Sequence, residues 1–347
     1  MRAARGASLV AVAGGALLAG GMLMRRRRRW ELAGRTVLVT GGSRGLGLLI
    51  AEELLRAGAR VAICARDRDT LDRARTQLAR HEGRVLAIPC DVSLRGDVED
   101  MVRRVRERFG PIDALINNAG TIVVGPLESM ELEDFQTAMD VNFWGPLYAI
   151  LAVLPEMRRR GSGRIVNVAS VGAKISVPHL LPYSASKFAL VGLSEGLRAE
   201  LAGDGIQVST ICPGLMRTGS PRHALFKGRH RAEYAWFSIS DSLPVASMSA
   251  ERAARQIVAA LRSGRAERVL SLPAKLGVLA HGLFPGLTAD VLGVVNRWLP
   301  EPEGEEDVYR RPEKGEQSTS ELSPSWLTTL GERAARRSNQ VESEASP

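Results

Sequence analysis

Cysteine is scarce. Cys64, Cys90 and Cys212 are the only three in 347 residues, and none stands at a paired or metal-ligand spacing. This excludes a disulfide-stapled scaffold and points to buried thiols in a reducing compartment. Histidine is also thin, and His223 and His230 form no metal-ligand constellation. The net charge is +9, but the basic residues are scattered. The single dense run is Arg25–Arg29, whose position suggests a membrane. Nucleic acid is therefore not an expected partner.

What is present begins with Ala7–Met24, a run in which Ser8 is the only polar side chain. It reaches the roughly 18 residues a spanning helix needs. A cleaved signal peptide carries its positive charge mainly before the apolar run; here the larger cluster follows it. Arginines after the run resist translocation and hold the following chain on the cytoplasmic side. Residues 1–30 are expected to form a single-pass transmembrane anchor with the rest of the protein cytoplasmic.

Thr36–Thr40 reads as a buried strand and runs into Gly41-Gly-Ser-Arg-Gly-Leu-Gly47, which opens a helix. Strand, glycine turn and helix N-terminus together make a pyrophosphate site, because amides and helix dipole face the anion. The spacing differs from G-x-G-x-x-G, so the loop alone is a loose signal. The second strand, Arg60–Cys64, ends at Ala65 and Arg66. An acidic residue there would hold a ribose 2′-hydroxyl; an arginine suits a 2′-phosphate. Arg66, with Arg44 in the loop, favours NADP(H) over NAD(H).

Further strands are expected at Val85–Cys90, Ala114–Asn117, Arg164–Ser170 and Gln207–Cys212, with helices between them. That alternation predicts an α/β fold, a doubly wound, Rossmann-like parallel sheet over 31–272. Asp91, Asn118, Ser170 and Pro213-Gly214 fall at carboxyl ends of strands, where such sheets bind ligands. Met130–Leu154 reads as one long apolar helix interrupted near Gly145-Pro146.

Tyr183 and Lys187 stand four apart in a segment whose apolar spacing is helical, so they share a face. An ammonium beside a phenol favours the phenolate and draws its pKa toward the working range. The pair is a candidate proton-transfer device for a carbonyl or an alcohol.

Thr40–Gly47, Asn117-Asn-Ala-Gly120, Asn142, Ser170, Tyr183-x-x-x-Lys187 and Pro213–Thr218 together resemble the short-chain dehydrogenase/reductase family, over about residues 33–262. The resemblance implies that Tyr183 is the general acid in reduction and the base in oxidation. It implies that Lys187 lowers the Tyr183 pKa and holds the nicotinamide ribose. Ser170 would bind the substrate oxygen, and Asn142 would hold a water that links Lys187 to solvent. The cofactor would meet Gly41, Ser43, Arg44, Gly45, Leu46, Gly47 and Arg66 at the loop. Asp91 and Val92 would line the adenine, and Asn118, Ala119 and Gly120 the adenosine and its ribose. Pro213, Gly214 and Thr218 would cover the nicotinamide. Dimers or tetramers are implied too.

Residues 215–245 read as a basic, aromatic lid for an acidic head group or an anionic bilayer. Residues 273–300 read as an apolar helical extension that covers the cleft or dips into the membrane surface. Residues 301–347, rich in Pro, Glu, Ser and Gly, read as a disordered tail. The expected activity is NADP(H)-dependent carbonyl–alcohol interconversion on a lipophilic substrate of steroid, retinoid or long-chain acyl type. The competing readings are a 3-oxoacyl thioester reductase and a non-catalytic NADP(H)-binding membrane scaffold.

Overall fold

Val and Leu fill β1 (Thr36–Thr40), and every residue of it is buried, as expected of a strand covered on both faces. The computed structural model describes residues 30–341 apart from 82, 244–246, 304, 321–322 and 324–327. All but the last residue of the expected anchor, 1–30, lies outside the described residues. Beyond β1 come β2 (Arg60–Ala65), β3 (Val85–Pro89), β4 (Ala114–Asn117) and the short β5 (Val123–Val124). Then follow β6 (Gly163–Val168), β7 (Ile206–Cys212), β8 (Met216–Arg217) and β9 (Leu225–Phe226). The series ends with β10 (Met248–Ser249), β11 (Glu267–Val269) and β12 (Glu313–Lys314).

The main sheet runs β11-β7-β6-β4-β1-β2-β3 and is parallel throughout. The fold is the expected Rossmann-like one. Strand order reverses between β1 and β4, paired Val39 to Ile116, and a crevice opens above their carboxyl ends. The connecting helices are α1 (Gly45–Arg56), α2 (Arg68–Gln77), α3 (Arg95–Phe109), α4 (Leu132–Met139), α5 (Gly145–Arg160), α6 (Leu181–Glu200), α7 (His230–Ser242) and α8 (Ala250–Ser263). α1 packs against α8 and α3 against α5. One core cluster joins Val98, Met101 and Val105 to Ile150, Val153 and Met157 beneath Leu115 and Ile165.

The expected break near Gly145 is a wide π-type turn, Asp140–Trp144, between α4 and α5. Residues 132–160 are long and apolar enough to cross a membrane by length and composition, but half of that stretch is buried inside the protein. It is a core helix here.

α9 (Leu272–Leu283) and α10 (Pro285–Asn296) are two helices within the stretch read as an apolar extension. Ala274 is the only buried residue of either helix, while Leu276, Leu279, Leu283, Phe284, Leu287 and Trp298 stand exposed. The described part of the tail departs from expectation. α11 (Glu306–Tyr309) precedes β12, which joins β9 and β5 in a small sheet. α12 (Thr329–Arg337) then packs on α7 and buries Ala335. Composition predicted disorder because the segment is polar; the order of its described residues comes from contacts with the body that composition does not record.

Candidate active site

The glycine loop owes its shape to close approach. Gly41 and Gly45 have φ of 65° and 56°, a region that favours glycine. A Cβ at Gly41 would lie 2.8 Å from Ala119 Cα, and one at Gly47 would fall on the Gly41 carbonyl oxygen. The turn after β4 is locked to the same strand end. Thr40 Oγ1 accepts from the Asn118 and Ala119 amides at 3.0 and 3.1 Å. Asn118 Nδ2 donates to the carbonyls of Thr40 and Gly41. α1 has no acidic residue in its first turn and no side-chain cap from Arg44, so its N-terminal amides look to an acceptor from elsewhere. These features fit a dinucleotide pyrophosphate. The acceptor that Gly45 N does find, at 2.7 Å, is the Ser338 carbonyl of the chain's own tail.

Arg66 lies just past β2, its side chain mostly exposed, 3.9 Å from Asp91. Arg44 is held below the ordinary guanidinium pKa by burial; Asp67 opposes this, and Arg66 and Arg73 add to it. Three guanidinium groups thus gather at the edge of the loop. Asp67, beside them in the chain, spends its carboxylate capping α2 through the Thr70 amide at 2.7 Å.

Tyr183 and Lys187 sit in the first two turns of α6. The Lys187 side chain is 4% exposed; its Nζ donates to the Val168 carbonyl at 3.1 Å and lies 5.8 Å from the centre of the Tyr183 ring. Burial brings the Lys187 ammonium down to about 8. Tyr183 is half-buried as a residue, and burial of its hydroxyl pushes the phenol up to about 12, with a hydrogen bond from Ser170 pulling the other way. Ser170 also caps the turn after β6, accepting from Gly172 N at 3.0 Å. Fully buried Asn142, in the π-type turn, donates to Thr121 O and Ser186 Oγ and accepts from Thr121 N. A Cβ at Gly120 would lie 3.0 Å from Asn142 Oδ1 and 3.4 Å from Lys187 Nζ. Only glycine leaves that junction open.

A model described as short chain dehydrogenase matches residues 35–225, more than half the chain. The chain belongs to this family. Members of this family bind nicotinamide cofactors, and several relatives are named as reductases or dehydrogenases. It is 38% identical over 183 residues to the ketoacyl reductase HetN of Nostoc sp., covering 53% of this chain and 64% of that one. To the 3-ketodihydrosphingosine reductase of Mus musculus it is 37% identical over 187 residues, covering 52% and 56%. The match thus spans under two thirds of either relative. Among solved structures, a gluconate 5-dehydrogenase from Burkholderia cenocepacia in complex with NADP and tartrate superposes with a TM-score of 0.62 at 28% identity, covering 72% of this chain and 98% of that one.

In this short-chain dehydrogenase the remaining expected residues follow the carboxyl ends of β3 and β7. Asp91 accepts from Ser93 N and Oγ beyond β3, and Val92 is buried against Gly145. Pro213 O receives the Val171 amide, Gly214 meets Ser271 and Ala274 at the root of α9, and Thr218 is buried. The expected lid is a packed lobe instead. Phe226, Tyr234 and Phe237 form its core with edge-on ring contacts. Lys227 is buried between Glu131 and Asp134, at 3.0 and 2.7 Å, and Arg222 and Arg229 pair with Glu332 and Glu303. Clustered aromatics in sequence were the lobe's core.

Sequence reasoning missed Arg73, one cation in a polar helix, and Asp241 on α7. Burial raises the Asp241 carboxyl to about 7, and its charge bears on Tyr183. It also missed His179, which has a φ of 62° and is buried with Nδ1 2.7 Å from Glu233 Oε1. None of the three belongs to a spaced motif, so only the fold brings them in.

Proposed function

We propose that the protein is a membrane-associated, NADP(H)-dependent short-chain dehydrogenase that interconverts a carbonyl and an alcohol on a lipophilic substrate. The observation that carries this reading is the meeting of Ser170, Tyr183 and Lys187 beside the glycine loop, at the reversal of strand order. The cofactor supplies or accepts a hydride. Tyr183 delivers the proton to the substrate oxygen in reduction and removes it in oxidation. Ser170 donates a hydrogen bond to that oxygen and steadies its developing charge. Lys187 holds a positive charge below the phenol ring, favouring phenolate when the proton has left. Asn142 fixes the Thr121 and Ser186 backbone and hydroxyl groups around Lys187. Arg44, Arg66 and Arg73 favour a 2′-phosphate over a bare hydroxyl.

The exposed leucines of α9 and α10 support contact with lipid, since a contiguous apolar face of this kind marks an interaction site. The apolar run Ala7–Met24 supports the same location. A lipophilic substrate would then reach Gly214 and Tyr183 from the root of α9.

A second reading, reduction of a ketoacyl thioester, is favoured by the names of two relatives, the Nostoc protein and a putative ketoacyl reductase of Streptomyces coelicolor that is 41% identical over 187 residues. One experiment separates the readings. Nucleotide oxidation by the membrane-reconstituted chain is followed with NADPH and with NADH over steroid, retinoid, acyl thioester and small soluble carbonyls, with Tyr183→Phe as control. NADPH-dependent turnover of a lipophilic carbonyl, lost in the variant, supports the proposal. Turnover confined to soluble carbonyls refutes the substrate class, and nucleotide binding without any turnover supports a scaffold.

A further inference from the structure

The tail does more than cover the lobe: its last described residues lie in the loop that fits the pyrophosphate. Besides its packing on α7, α12 and its end are seated on the loop after β7. Arg222 pairs with Glu332 at 2.7 Å, Ala335 packs against Gly219, and Ser338 Oγ donates to Thr218 O at 3.1 Å. From there the chain crosses the crevice. The Ser338 carbonyl accepts from Gly45 N at 2.7 Å, an acceptor oxygen at the N-terminus of α1 where an anionic oxygen is favoured. Asn339 adopts φ of 57°, which asparagine tolerates better than most residues. Its Nδ2 donates to Ser43 O and Thr70 O at 2.8 and 2.9 Å, and its Oδ1 accepts from Arg73 Nε at 3.2 Å. Gln340 reaches over Gly45, where a Cβ would lie 2.6 Å from its Nε2.

We infer that residues 328–341 are a built-in competitor for the dinucleotide. The tail spans from the loop after β7 to α2 and satisfies with peptide and amide groups the donors that a pyrophosphate and a phosphorylated ribose would take. This rests on the dinucleotide reading above. Because the tail engages Gly45 N and Arg73 Nε and lays Gln340 over Gly45, nucleotide and docked tail exclude each other. The enzyme with its tail docked is closed to cofactor, and whatever draws α12 off the lobe opens it.

Tethering makes the competition intramolecular. A tail docked in about nine molecules of ten weakens the apparent nucleotide affinity about tenfold. The test is fluorescence titration of NADPH into the full chain, a chain ending at residue 327, and Asn339→Pro. Proline cannot adopt the positive φ and loses the side-chain bonds, while lying beyond the end of α12. Both variants are expected to bind NADPH about tenfold more tightly than the full chain. A synthetic peptide of residues 328–341 should compete with NADPH on the shortened chain. In the full chain, NADPH should speed tryptic cleavage after Arg336 and Arg337, because it frees the helix. Equal affinities in all three forms, with cleavage unaffected by NADPH, overturn the inference and leave the dinucleotide site standing. If no form binds NADPH or NADH, the functional reading fails first and the inference with it. If the shortened chain does not fold, Asn339→Pro decides alone.

Discussion

Replacing Lys187 by methionine should make the protein more stable at neutral pH while removing its activity. The side chain is 4% exposed, and burial brings its pKa from 10.5 down to about 8. At about 1.4 kcal/mol per pH unit, keeping that ammonium charged costs the folded state about 3 kcal/mol. Methionine fills a similar volume without the charge but leaves the Val168 carbonyl without the donor now at 3.1 Å, a loss of about 1–2 kcal/mol. The net expectation is a variant about 1–2 kcal/mol more stable near neutrality. The pH dependence carries the sharper test. Below pH 8 the lysine is charged in both states and the full penalty applies. Between 8 and 10.5 the folded state gives up its proton while the unfolded state keeps it, so the wild type gains stability relative to the variant. Above 10.5 the penalty is gone. Urea denaturation of the detergent-solubilised chain at several pH values between neutrality and 10.5, for both proteins, measures this difference. A gap between them that stays constant or widens with rising pH would refute the reasoning.

Three further outcomes are expected. Gly47→Ala places a methyl on the Gly41 carbonyl and against Asn118 Nδ2; it should cost about 3 kcal/mol in urea denaturation and weaken NADPH binding. Asp241→Asn removes a carboxyl whose folded pKa is raised to about 7 from 3.8. The wild type should therefore lose stability as pH rises between those values, because the folded state holds the proton longer, and the variant's denaturation curves should lack that loss. Leu279, Leu283 and Leu287 are about three-fifths exposed, so replacing all three by serine should leave the urea midpoint nearly unchanged while reducing co-sedimentation with lipid vesicles.

The parts legible in sequence are those whose signal is local. Thr36–Thr40 is a β-branched run and is a strand to the residue; Tyr183 and Lys187 were placed on one helix by a spacing of four, and they are in α6. The loop glycines announced a turn because glycine is needed where Gly41 and Gly45 have positive φ. What stayed hidden depends on distant partners. Asn339 lies 296 residues from Ser43, and nothing near it in the chain announces that contact. Phe226, Tyr234 and Phe237 suggested a surface lid because aromatics among arginines look the same whether they face water or one another. The phenol pKa is a third case: proximity of Lys187 argued for a lowering, but burial dominates and raises it.

The three cysteines have a practical consequence. Cys64, Cys90 and Cys212 are all free and buried; burial pushes the Cys212 thiol up to about 12, and a hydrogen bond with Cys64, together with burial, pushes the Cys90 thiol up. Thiolate is the reactive form, so the native fold offers alkylating dyes almost nothing to label. One cysteine introduced at the exposed position 336 would be the single reactive thiol on the molecule. A fluorophore there would report where the tail is, molecule by molecule, without any other change to the chain.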